Sequence, residues 1–112
     1  MLPDAQVQFD EATIRLFKDK KEVWSLQWSG VERIGYRTTS GGPWYDYFLV
    51  FKTNTSPAMH YEIPMECRGA IALAEYVDQL TGTKLPREGK LASRLEDKSV
   101  TIWPAHKSGE PL

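Results

Sequence analysis

The sequence predicts an α+β protein, rich in β-strand, built as an antiparallel half-barrel or sheet closed by one C-terminal amphipathic helix. Three observations predict it. Apolar and polar residues alternate with a period of two in successive segments up to residue 65. Short turn-forming clusters separate those segments, at 18–22, 29–30, 40–43 and 53–57. The period then changes once, to a helical one, over "ECRGAIALAEYVDQLTG". Strands followed by a single helix exclude an alternating parallel α/β arrangement.

The elements follow in chain order. "VQFDEATIRLF" reads as two short strand pieces around Asp10-Glu11, with Ile14 and Leu16 on one side and Thr13 and Arg15 on the other. "KDKKE" is a charged turn, after which Trp24, Leu26 and Trp28 alternate with Val23, Ser25 and Gln27. Beyond Ser29-Gly30, residues 31–39 form a strand with Ile34 and Tyr36 on one face. Ser40-Gly41-Gly42-Pro43 interrupts it. Residues 44–52 form the next strand, with Tyr45, Tyr47, Leu49 and Phe51 on one face and Trp44, Asp46, Phe48 and Val50 on the other. Both faces are largely apolar, which places this strand centrally or covers it on both sides.

"MHYEIPM" alternates Met59, Tyr61, Ile63 and Met65 against His60, Glu62 and Pro64; Pro64 belongs at a strand end or edge because it has no N–H. The helix carries Ala70, Leu73, Val77 and Leu80 on its apolar stripe, and Gly82 ends it. One domain is expected over 1–112: a core over about residues 6–82, a packed tail over 83–103 with a short helix in "GKLASRLEDK" and a strand in "SVTIW", and a frayed end over 104–112.

Composition narrows the function classes. A net charge of −1 gives no field to attract nucleic acid or an acidic membrane, so no nucleic-acid partner is expected and membrane binding is disfavoured. Four Trp point to an aromatic-rich core. Cys67 is the single cysteine, which excludes an intramolecular disulfide and fits a reducing compartment. The N-terminal residues have neither the basic region nor the apolar run of a signal peptide, and a cytoplasmic location is expected.

Four stretches carry a resemblance: Trp28 closing the strand after the charged hairpin, "VERIGYRTT", "GGPWYDYFLVF", and "YEIPMECRGAIALAEYV". Over about residues 6–82 the chain resembles small bacterial proteins of unknown function with a pleckstrin-homology-like barrel. The resemblance implies a fold. Such folds host lipid, peptide and protein binding, so it does not select a function.

Asp46 has the form of a general acid or base in aromatic surroundings; as a lone carboxylate beside a glycine turn it is assigned to architecture. There, with Gly41, Gly42 and Pro43, it pins the turn by accepting backbone N–H groups or by pairing with an arginine such as Arg37. His60 and His106 stand in no metal-ligand spacing, and no metal or cofactor is expected. Cys67 near a helix N-terminus would have a lowered thiol pKa, and a Cys67–His60 pair is the sharpest enzyme reading, though no motif supports it and Cys is commonly a buried small hydrophobe. No enzyme is expected.

Lys18, Lys20 and Lys21 loosely resemble the basic first hairpin of phosphoinositide-binding pleckstrin-homology domains. Asp19 and Glu22 interrupt the cluster, which reads as a solvated hairpin tip with lipid-headgroup binding as the alternative. Trp44, Tyr45 and Tyr47 beside the glycine turn either complete the core or form a recognition patch, and they are the preferred binding residues. The expected function is a noncatalytic interaction module whose partner is a protein, a peptide or a second copy of the chain.

Overall fold

The computed structural model describes residues 5–41, 44–65, 67–82 and 98–112; of residues 39–41, 44–46 and 98 it describes the backbone. Seven strands and one α-helix are present among them: β1 (Ala5–Phe9), β2 (Thr13–Lys18), β3 (Lys21–Gln27), β4 (Val31–Gly41), β5 (Trp44–Thr53), β6 (His60–Pro64), α1 (Ala70–Thr81) and β7 (Lys98–Trp103). Two antiparallel sheets result, with strand orders β1-β2-β3 and β6-β5-β4-β7. The class is α+β with a majority of strand. The expected short helix in "GKLASRLEDK" falls largely on residues outside the described ones.

The period-two pattern becomes burial directly. Val7, Ile14 and Leu26 from the first sheet meet Ile34, Leu49, Phe51 and Ile63 from the second in one core. β5 is central, flanked by β4 and β6, as its two apolar faces require. Leu49 and Phe51 enter the core, and Val50 on the other face is 1% exposed. β6 is an edge strand and Pro64 is its last residue, so its missing N–H costs no ladder bond there.

The link around Asp10-Glu11 falls where the sequence expects it, whereas Ser40 and Gly41, expected in a turn, are the last residues of β4. Asp10 closes the β1–β2 link: its Oδ1 accepts the Ala12 and Thr13 amides, each at 2.8 Å. The Trp28 indole N–H donates to the Asp10 carbonyl at 2.8 Å, tying the end of the first sheet to that turn. The Trp28 ring then meets Phe51 and Tyr76, so one aromatic links both sheets and the helix.

α1 lays Ala70, Leu73, Ala74 and Val77 into the core and ends at Gly82, whose φ of 72° is left-handed. Leu80, expected on the buried stripe, is 57% exposed, because the last helical turn runs past the core. The helix starts at Ala70, the first residue of the expected apolar stripe. Residues 67–69 first run beside β1: the Val7 N–H donates to the Arg68 carbonyl at 2.8 Å and the Arg68 N–H to the Ala5 carbonyl at 3.2 Å. Gly69, at φ 87°, makes this possible; a Cβ there would lie 2.4 Å from the Val7 carbonyl oxygen.

The expectation of a frayed end over 104–112 is corrected. The Thr101 N–H donates to the Glu110 carbonyl at 2.7 Å, and the Gly109 N–H returns a bond to Thr101 at 2.9 Å. Arg33 pairs with Glu110 at 3.3 Å and donates to the Pro111 carbonyl at 3.2 Å. The segment therefore folds back on β7 and is clamped by β4, which supplies the partners that a polar terminal sequence does not reveal by itself.

Candidate functional site

The β4–β5 hairpin is the longest ladder among the described residues, and it continues past the described pairs of its neighbours. β7 pairs with β4 only from Ile34 to Thr38. β6 pairs with β5 only from Phe48 to Lys52, with one further bond from the Met65 N–H to the Tyr47 carbonyl at 2.9 Å. The β4–β5 register continues through Thr39↔Asp46, Ser40↔Tyr45 and Gly41↔Trp44. Among the described residues no strand flanks these last three pairs. At about 3.3 Å per residue, the ribbon extends roughly 10 Å past the four-stranded sheet. Its outer edges carry backbone N–H and C=O groups that a partner strand can use.

The expected binding residues divide on this frame. Tyr47 lies at the root of the ribbon, half-buried, packed on the core and edge-on to Tyr36 at 5.8 Å between ring centroids. It belongs to the support of the hairpin. Trp44 and Tyr45 have their backbone in the ribbon itself, opposite Gly41 and Ser40. Their side chains, and that of Asp46, lie outside the described residues, as do Gly42 and Pro43. The architectural role expected of Asp46 therefore rests on its register opposite Thr39.

Arg37 has a described carboxylate partner in Glu62, reached across β5. The Arg37 Nη2 donates to Glu62 at 2.8 Å and its Nε makes a second bond to the same carboxylate, a bidentate pair. The guanidinium also lies over the Phe48 ring, 4.6 Å from its centroid. Three strands of the sheet are stitched together at the base of the ribbon by this cluster.

The lysine cluster does not converge. Lys18 and Lys21 pair across the β2–β3 ladder and take the face opposite Phe17, because neighbouring residues of a strand alternate. Lys20 occupies the turn between them and lines a groove of 260 Å³ with Gln6, Gln8, Phe17 and Arg68. Only Lys20 of this set was legible. The others are polar residues of β1 and the helix approach, which the parallel bridge between Gln6 and Arg68 brings to the hairpin.

The premise for a reactive Cys67 is corrected. Cys67 lies ahead of the helix, whose N-cap is Gly69, and it is 4% exposed. Burial pushes its thiol pKa up, against a smaller opposing effect of Arg68. The thiol is protonated at neutral pH, the inert form. His60 and His106 are both exposed. Among the described residues no three of His, Cys, Asp and Glu gather as metal ligands, and no helix is long and apolar enough to cross a membrane. Comparison with known proteins found no family model, no curated protein and no solved structure that matches this chain.

Proposed function

We propose that this protein is a noncatalytic interaction module of pleckstrin-homology-like fold, and that it holds a protein or peptide partner with the tip of the β4–β5 hairpin. The observation that carries the reading is the ladder itself: it continues to Gly41↔Trp44, past the last pairs that either flanking strand makes among the described residues. A two-stranded ribbon whose edges are unshared among the described residues is marginal in water and gains from a partner. Trp44 and Tyr45 on that ribbon are of the residue types that dominate interface energetics. Two antiparallel sheets and a helix on one core support the pleckstrin-homology-like reading, with β7 as an extra strand on β4. One cysteine, buried and unpaired, supports a cytoplasmic setting.

The test is photo-crosslinking in cells. A benzophenone amino acid replaces Trp44 in one variant and Ser29 in another; Ser29 is exposed and precedes the opposite end of β4. Discrete adducts from position 44 and none from 29 are expected, and the adduct mass states whether the partner is a second copy. Equal, background-level labelling at both positions would overturn the reading.

A further inference from the structure

We propose that the groove between Gln6, Gln8, Phe17, Lys20 and Arg68 binds a phosphate monoester. The site is separate from the hairpin tip, and no reading of the sequence assembles it. Its two cations come from distant places in the chain. Lys20 sits in the β2–β3 turn; Arg68 is held beside β1 by two backbone hydrogen bonds, 2.8 and 3.2 Å long. Neither forms a salt bridge among the described residues. Of the described carboxylates near it, Asp19 adjoins Lys20 in the turn and does not line the groove, and Glu22 lies opposite Phe17 on the ladder and is paired with Arg15 at 3.9 Å.

The backbone supplies an independent observation. Asp19 and Lys20 have φ of 52° and 67°, so both central residues of the turn are left-handed. Such two-residue turns favour Gly at the second position, since a side chain there is strained. This sequence keeps Lys at that position, and its side chain lines the groove. Strain retained at a residue that lines a cleft points to a use for the residue.

The chemistry of the lining selects the ligand class. An ammonium, a guanidinium and two carboxamides offer many donors, and the only side-chain acceptors are the two Gln carbonyls. A phosphate monoester carries about −1.5 to −2 charges at neutral pH with three acceptor oxygens, which matches two cations that have no ion pair among the described residues; a carboxylate leaves one uncompensated. Phe17, half-buried, is an apolar floor for the carbon part of the ester. A volume of 260 Å³ lies just under the ~300–1,000 Å³ of drug-sized sites, which suits one small group.

The experiment is a titration of the full chain with phenyl phosphate, followed by backbone and side-chain amide NMR. Saturable shifts at Gln6, Gln8, Lys20 and Arg68 are expected, weakened about tenfold or more in Lys20→Gly and in Arg68→Gln. Lys20→Gly relieves the turn, so its melting temperature should equal or exceed the parent's, which separates lost binding from lost fold. A second arm uses vesicles containing phosphatidate or phosphatidylserine. Sedimentation with phosphatidate, lost in both variants, identifies a lipid headgroup as the source; phenyl phosphate binding without vesicle binding identifies a soluble ligand. No saturable shift at these residues with either probe, or equal affinity in parent and Lys20→Gly, would overturn the proposal.

Discussion

Replacing Gly35 with alanine should separate β7 and the C-terminal segment from the rest of the fold. Gly35 lies mid-strand in β4, opposite Val50 on β5 and Thr101 on β7. A Cβ there would lie 2.0 Å from the Val100 carbonyl oxygen, 2.9 Å from its carbon and 3.0 Å from the Thr101 Cα, all backbone atoms. Ordinary contact begins at 3.4 Å, so β7 must retreat by about 1.4 Å (3.4 − 2.0). Overpacking of this kind costs about 1–3 kcal/mol. A retreat of that size also breaks one or two ladder bonds, at about 1 kcal/mol each. The better strand propensity of alanine returns about 0.5–1 kcal/mol. The net loss is about 1–4.5 kcal/mol, a sizeable part of the ~5–15 kcal/mol available to a domain of this kind.

Urea unfolding followed by tryptophan fluorescence reads this as a lower midpoint with an unchanged slope. Hydrogen exchange should show protection lost first at the Thr101 and Gly109 amides, which join β7 to the terminal segment. Gly30→Ala is the control: a Cβ there meets nothing within 4 Å, and a change within about 0.5 kcal/mol is expected. A Gly35→Ala protein within about 0.5 kcal/mol of the parent would refute the close approach of β7 to β4.

Three further outcomes are expected. Native Cys67 should resist iodoacetamide at neutral pH and react only after unfolding, because burial raises its pKa; rapid modification of the folded protein would contradict that burial. Asp10 is held below the usual carboxylate range by the Thr13 and Ala12 amides, so the stability it contributes is present above its unfolded pKa and lost as pH falls through the folded one. Asp10→Asn should therefore lower the urea midpoint near neutrality and flatten its decline below about pH 4; an unchanged acid slope would count against the turn. Glu62→Gln should cost no more than about 1 kcal/mol, since both partners of the Arg37 pair are one-third exposed and solvent screens them. Arg37→Ala should cost more, by the lost stacking on Phe48, and a reversed order would contradict the cluster.

Much of the fold is legible because alternation in a strand reports burial one residue at a time. Ile14, Leu26, Ile34, Leu49 and Ile63 are apolar at alternate positions and are buried. Features that depend on distant partners are not legible. Thr101 is polar yet fully buried, because β4 and the terminal segment enclose it. The 104–112 segment reads as a tail until Arg33 is known to reach Glu110 and Pro111. Arg68, just ahead of the helix, pairs with β1, a pairing that no local period encodes. The candidate site follows the same division. Trp44, Tyr45 and Lys20 stand out by residue type and turn context. The reach of the hairpin past its described neighbours depends on the register of β6 and β7, and Gln6, Gln8 and Arg68 become a groove only through the register of β1.

The most direct test of the proposed interaction is the crosslinking yield at position 44 compared with position 29. Discrete adducts are expected at 44 and should be lost when Tyr45→Ala is added, while the melting temperature stays at the parent value. Labelling at 44 no stronger than at 29, or adducts indifferent to Tyr45→Ala, would contradict a binding role for the hairpin tip.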